Sequence, residues 1–131
     1  MKNILSKFFK KYNCDNSYEI IKNIDIQSIL TAKIFIHQQK SIKSNNINDY
    51  EFRVFSQFGD DGIIQYLIDN LEIKKNERKF IEIGVGDYSE SNTRFLLMKD
   101  YWEGLILDGS NQILKVKKNI MNGLQKITLT T

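Results

Sequence analysis

Four residues have the types and the spacing of a ligand-binding turn: Glu82, Gly84, Gly86 and Asp108. Glycine lets the backbone turn tightly and lets a ligand approach the main chain, because it has no Cβ atom. Asp108 ends the second of two short apolar runs, where a carboxylate can accept hydrogen bonds from both hydroxyls of a ribose. It follows Glu82 by 26 positions (108 − 82), which suits one strand–helix–strand unit. We therefore predict that these residues hold a nucleotide-like cofactor.

The segments around these residues predict a parallel sheet. "FIEIGV" (80–85) and "EGLILDG" (103–109) are short, apolar and β-branched, as is typical of strands buried on both faces. Residues 91–100 and 111–123 suit crossover helices, the second ending near its glycine, and 125–131 suit a third strand. This alternation predicts an α/β fold, a partial Rossmann-like, doubly wound sheet of about three strands with right-handed crossovers.

Residues 1–48 are predicted to form a helical segment that precedes the α/β domain of residues 49–131. Asn16 followed by Glu19 resembles a capping box, and Asp25 is a residue type that caps a second helix. The first 12 residues have a basic amphipathic pattern. Such a helix can lie on an anionic membrane surface, although packing on its own domain or on a partner is the interpretation we prefer.

A further apolar stripe over residues 63–71 predicts a core helix that begins at Gly59, Asp60 and Asp61. Aspartates suit that position, because a helix N-terminus carries the positive end of the helix dipole.

Composition excludes several classes of protein. The net charge is +3 over 131 residues, which is low for a nucleic-acid binder. Cys14 and His37 are the only cysteine and histidine in the sequence, so we expect neither an intramolecular disulfide nor a cysteine- or histidine-rich metal site. No apolar run approaches the roughly 20 residues of a membrane span, and the N-terminus lacks the pattern of a secretory signal. These features predict a cytoplasmic location.

The acidity of the glycine turn distinguishes between cofactors. A dinucleotide-binding site typically contains a third glycine and binds pyrophosphate at the helix N-terminus. Here Ser89 stands in place of that glycine, and Asp87 and Glu90 would repel a phosphate. S-adenosylmethionine (SAM) carries no phosphate and a net charge near +1, so charge favours SAM, while an NAD-binding domain stays an alternative.

Three motifs also occur in a characteristic order: "VFSQFGDDGIIQYLI" (54–68), "FIEIGVGDYSESNTRFLL" (80–97) and "WEGLILDGS" (102–110). Together they resemble the N-terminal half of FkbM-like SAM-dependent methyltransferases, over residues from about 49 to 118. The resemblance implies that the cofactor is SAM and that the first SAM motif contains Glu82, Gly84, Val85 and Gly86.

The same resemblance assigns further residues to the cofactor. It implies that Asp108 binds the ribose, that Gln57 and Asp60 lie by the cofactor pocket, and that Asn92 lies close to the loop. The implied reaction is methyl transfer, commonly to oxygen of a sugar or other small metabolite. Such transfer requires alignment of donor and acceptor and a base for a hydroxyl acceptor.

The resemblance ends before the acceptor-binding half of such enzymes, so we assign no catalytic residue and expect a truncated chain that is inactive alone. In a doubly wound order such as 3-2-1-4-5, the first strand pairs on one side with a later strand. Without that strand, "FIEIGV" would present an unpaired edge that favours self-association. A non-catalytic interaction module and a gene remnant are the alternative interpretations.

Overall fold

The structure is a computed structural model that describes residues 2–120 and 127–130, with side chains described from residue 17 to 116 and at 127, 128 and 130. A long helix and a loop region precede an alternating α/β part. The elements, besides short 3₁₀ turns at Ile47–Tyr50 and Lys75–Glu77, are α1 (Lys2–Gln39), α2 (Asp60–Asn70), β1 (Lys79–Ile83), α3 (Arg94–Asp100), β2 (Glu103–Leu107), α4 (Ile113–Ile120) and β3 (Ile127–Thr130). The predicted glycine end of α4, at Gly123, lies outside the described residues.

The three strands form one parallel sheet in the order β1-β2-β3, which confirms the predicted partial α/β fold. Phe80 pairs in register with Gly104. A Cβ atom on Gly104 would lie 2.1 Å from the Phe80 ring, so glycine is needed there for the ring to lie across β2.

One face of this sheet carries the helices. Leu97 of α3 and Val116 of α4 pack in one cluster with Ile106 and Ile127 of the strands. Both helices lie on the same face because two consecutive right-handed crossovers between neighbouring strands return to the same side. On the opposite face, Ile81 is 68% exposed and Ile83 is 77% exposed.

Strand β1 therefore differs from the buried central strand that its sequence predicts. Within the described residues it lies at the edge of the sheet, and only its Phe80 side packs against the core. The prediction of burial on both faces is wrong, and the predicted unpaired edge is confirmed for this part of the chain. Apolar content alone could not decide this, because a strand is buried only if another element covers it.

We expect Ile81→Lys to weaken self-association through this edge. A charge on an edge strand opposes pairing with another strand. Loss of one isoleucine side chain from the apolar contact is expected to lower the association constant about tenfold. Light scattering over a concentration series measures the effect. Leu71→Lys, which also replaces an exposed apolar residue, is the control, and equal masses for both variants at every concentration would contradict the prediction.

Helix α1 is one continuous helix of 38 residues, so the predicted starts at Asn16 and Asp25 are wrong. No proline or glycine occurs before Gly59 to interrupt it. Its later half packs through Ile29, Ala32 and Ile36 on a cluster that contains three phenylalanines of the following part: Phe52, Phe55 and Phe95. The side chains of residues 1–12, for which membrane contact is an alternative, lie outside the described ones.

Helix α2 begins at Asp60, as predicted, but its apolar stripe is only partly buried. Leu67 is 46% exposed, whereas the residues of α2 that are buried are Asp61, Gly62 and Gln65. The close packing of α2 is thus at its first turn. None of the helices in the described part of the chain is long and apolar enough to cross a bilayer.

Candidate functional site

The glycine bend directly follows β1. Gly84 has a φ of 79° and Gly86 a φ of 57°, both in the left-handed region that favours glycine. The Gly84 amide donates to the carbonyl of Leu107 at 2.9 Å, so the bend stays attached to the end of β2. A Cβ on Gly84 would meet no atom within 4 Å. The space beside Gly84 is therefore open to a ligand.

Asp108 meets this bend at the carboxyl end of β2. Its Oδ2 accepts from the amide of Gly86 at 2.6 Å, and its Oδ1 accepts from the amide and hydroxyl of Ser110 at 2.8 and 2.5 Å. The Ser110 hydroxyl and the Gly86 amide lower the pKa of Asp108 from its ordinary 3.8. The carboxylate is therefore ionised at neutral pH. The structure thus brings Asp108 next to the glycine bend, although a complete β–α–β crossover separates them in the sequence.

Glu82 points from β1 towards the start of α3. One of its carboxylate oxygens accepts from the Asn92 amide at 2.9 Å, and the other accepts from the hydroxyls of Ser91 and Thr93 and from the Thr93 amide. These bonds satisfy donors at a helix N-terminus. They also explain why α3 begins at Arg94 and not, as the sequence predicts, at Ser91. The described contacts of Glu82 position α3 rather than face the open side of the bend.

Tyr88 is a part of the site that sequence reasoning missed. It is fully buried and has a φ of 63°, which is rare for a residue with a side chain. Its hydroxyl lies 2.9 Å from Thr93 Oγ1. Because the Thr93 hydroxyl donates to Glu82, the Tyr88 hydroxyl must donate to Thr93. The "GDY" sequence gives no signal for this, since a buried left-handed tyrosine depends on the packing around it.

Burial raises the pKa of Tyr88 to about 12, from an ordinary value of 10.0. The raised pKa contributes stability that is complete below pH 10 and is lost as the pH rises towards 12, because the unfolded tyrosine ionises first. Between pH 10 and pH 12, we expect the free energy of unfolding of Tyr88→Phe to fall by about 2 kcal/mol less than that of the wild type. Urea unfolding along an alkaline pH series measures this difference, and parallel stability curves would contradict it.

The remaining predicted residues differ in their burial and in their contacts. Val85 is buried in the core, so its side chain packs rather than lines the open space. The Asn92 side chain is exposed and its amide donates to Glu82. Gln57 is exposed and Asp60 is half-buried. Their segment reaches the loop through Phe55, whose carbonyl accepts from the amide of Ser91 at 3.1 Å.

Asp61, and not Asp60, orders the segment that precedes α2, residues 54–59. One oxygen of the buried Asp61 carboxylate accepts from the amides of Val54 and Phe55 at 2.7 Å, and from the amide and hydroxyl of Ser56 at 2.8 Å. The chain before α2 is therefore wrapped around one side chain. Two adjacent aspartates look alike in the sequence, and only the start of the helix decides which of them points inward.

The loop after the bend is acidic, as the sequence predicts. Asp87 accepts from the hydroxyl and amide of Ser89 at 2.5 and 3.1 Å, and the Ser89 hydroxyl is the main cause of its lowered pKa. Glu90 pairs with Arg53 at 3.0 Å, but both side chains are more than half exposed, so this pair contributes little. Each of these acids has a cationic neighbour, Lys115 for Asp87 and Arg53 for Glu90, so the negative charge of the loop is partly compensated.

The chain matches no protein-family model, no curated protein and no solved structure. Among the residues that the structure describes, no group of three or more histidine, cysteine, aspartate or glutamate side chains could hold a metal ion. The geometry of the bend, its acids and the three sequence motifs are therefore the basis for a functional proposal.

Proposed function

We propose that this chain is the SAM-binding portion of an FkbM-like methyltransferase, with SAM held at the glycine bend. One observation supports the proposal most strongly: the Asp108 carboxylate lies against the Gly86 amide at 2.6 Å, beside the open space at Gly84. An acid at the end of β2 is where a ribose diol binds in Rossmann-like sites. In this proposal the acidic residues that follow the bend, Asp87 and Glu90, lie near a ligand that carries no phosphate.

In this proposal the described residues bind and orient the donor. Asp108 accepts hydrogen bonds from the ribose, and the backbone at Gly84 permits close approach of the ligand. The acceptor is a hydroxyl of a small molecule or a glycan, which a further part of the protein or another chain aligns with the SAM methyl group. The chain alone is expected to transfer no methyl group, because the motifs identify no base.

Separate calorimetric titrations with SAM and with NAD test the proposal. Measurable SAM binding, with NAD binding weaker or absent, is the expected result. Preferential binding of NAD would replace the proposal with a dinucleotide-binding domain. Absence of binding for both ligands would contradict a cofactor site at this bend.

Ser110 provides a finer prediction about the same site. Its hydroxyl already donates to Asp108 Oδ1, at a position that a ribose hydroxyl would use. Ser110→Ala removes this competing donor and keeps the backbone amide that also donates to Oδ1. Since one hydrogen bond contributes about 1 kcal/mol, we expect SAM to bind about two- to fivefold more tightly, as measured by calorimetry. Weaker binding would show that the serine contacts the ligand itself.

An interaction module is the second candidate function, and the exposed β1 face favours it. Ile81 and Ile83 are both more than two-thirds exposed on an edge strand. An exposed apolar strand edge is a surface that pairs with another polypeptide. If the chain binds no SAM but associates through a surface that Ile81→Lys disrupts, the interaction module is favoured over the SAM-binding function.

A further inference from the structure

Arg94 connects helix α1 to the loop beside the glycine bend. Its Nη2 lies 2.6 Å from Oδ2 of Asp25 in α1, and its Nη1 donates to the carbonyl of Ser89 at 3.0 Å. The guanidinium also lies 4.2 Å from the centre of the Phe55 ring. The Arg94 and Asp25 side chains are only 13% and 17% exposed. Burial raises the pKa of Asp25, and Arg94 opposes that rise.

Residues 87–93, which we call the acidic loop, separate the bend from α3, and Ser89 lies in the first half of this loop. Its later residues are held by Glu82, through the amides of Asn92 and Thr93, and by the Phe55 carbonyl. The described contact that reaches the Ser89 carbonyl is the one from Arg94. Arg94 thus adds a contact at Ser89, directly after Tyr88, whose buried side chain also anchors this part of the loop.

We infer that Arg94 is a positioning residue through which α1 orders the acidic loop next to the glycine bend. Asp25 fixes one branch of the guanidinium, and the other branch then fixes the Ser89 carbonyl. Arginine suits this role because its planar fork presents several donors at once in a fixed geometry. The consequence for ligand affinity rests on the proposed function, whereas the ordering of the loop does not.

A simpler interpretation is that the ion pair only attaches α1 to the rest of the molecule. Arg94→Lys separates the two interpretations, because lysine keeps a positive charge for Asp25 but lacks the rigid fork that reaches two acceptors. Asp25→Asn removes the charge that fixes the guanidinium. Arg53→Lys is the matched control, since it makes the same change in the exposed pair with Glu90.

Amide hydrogen exchange of the whole chain tests the inference, with the amides of Tyr88 and Ser89, which lie next to the Arg94 contact, as reporters and those of β2 as the internal reference. We expect Arg94→Lys and Asp25→Asn to accelerate exchange in the acidic loop about tenfold or more, with β2 unchanged, and Arg53→Lys to change neither. Loop exchange equal to that of Arg53→Lys, or acceleration spread equally over β2, would overturn the inference.

SAM titration of the same variants provides the second readout. We expect about a three- to tenfold rise in Kd for Arg94→Lys and Asp25→Asn, without loss of the fold. If the wild type binds no SAM but the loop exchanges as expected, the proposed function fails and the positioning role of Arg94 stands. If SAM binds and its Kd is unchanged in both variants while the loop is also unchanged, the positioning role fails and the proposed function stands.

Discussion

Gly62→Ala is expected to lower the free energy of unfolding by about 3–4 kcal/mol. A Cβ atom at this position would lie 2.3 Å from the Phe52 nitrogen and 2.3 Å from the Tyr50 oxygen. Both are backbone atoms, so no side-chain rotation relieves the clash. The backbone would have to move apart, which would also weaken the bond from the Gly62 amide to the Phe52 carbonyl at 3.0 Å.

Urea or thermal unfolding measures this effect, and Gly109→Ala is the matched control. A Cβ on Gly109 would meet no atom within 4 Å, so this second variant should stay within about 0.5 kcal/mol of the wild type. A natural domain has only about 5–15 kcal/mol of stability, so Gly62→Ala removes a large share of it. Similar stabilities for the two variants would contradict the packing of α2 against residues 50–52.

Asp108→Asn is expected to weaken SAM binding about tenfold to a hundredfold. Hydrogen bonds to a charged group contribute about 1.5–3 kcal/mol, and the amide offers one acceptor oxygen where the carboxylate offers two. Asparagine has nearly the same shape, so the fold should be retained. Asp69→Asn removes the same charge from an exposed position on α2 and should leave the Kd within about twofold.

The pH dependence of this binding follows from the Asp108 pKa. Hydrogen bonds from Ser110 and Gly86 lower that pKa from 3.8, so the carboxylate stays ionised throughout the neutral and mildly acidic range. SAM affinity should be constant there and fall only as the pH drops below the ordinary aspartate value. An affinity that already falls between neutral and mildly acidic pH, or a Kd for Asp108→Asn equal to that of Asp69→Asn, would contradict Asp108 as the residue that binds the ribose.

The parallel sheet and the meeting of Asp108 with the glycine bend could be predicted because both follow from chain order. Adjacent parallel strands end at the same edge of a sheet, so the residues after β1 and after β2 must lie close together. The alternation of apolar runs was sufficient to place Gly86 and Asp108 there.

Other features depend on contacts that no local pattern records. Arg94 and Asp25 are separated by 69 positions, and nothing near either residue indicates the pair. The capping motifs at Asn16 and Asp25 were locally plausible, but a helix without proline or glycine continues through such residues when packing along its length favours it. The exposure of Ile81 depends on elements that would cover the sheet, which the sequence of β1 does not specify.

The most direct test of the account is a titration of the ¹⁵N-labelled chain in which amide chemical shifts are followed for SAM and for NAD separately. If SAM lies at the bend, the Gly84, Gly86 and Ser110 amides should move together with SAM and saturate with one Kd, while β2 and α2 amides stay in place. Unchanged glycine amides at high SAM concentration, or shifts that only NAD produces, would contradict the account.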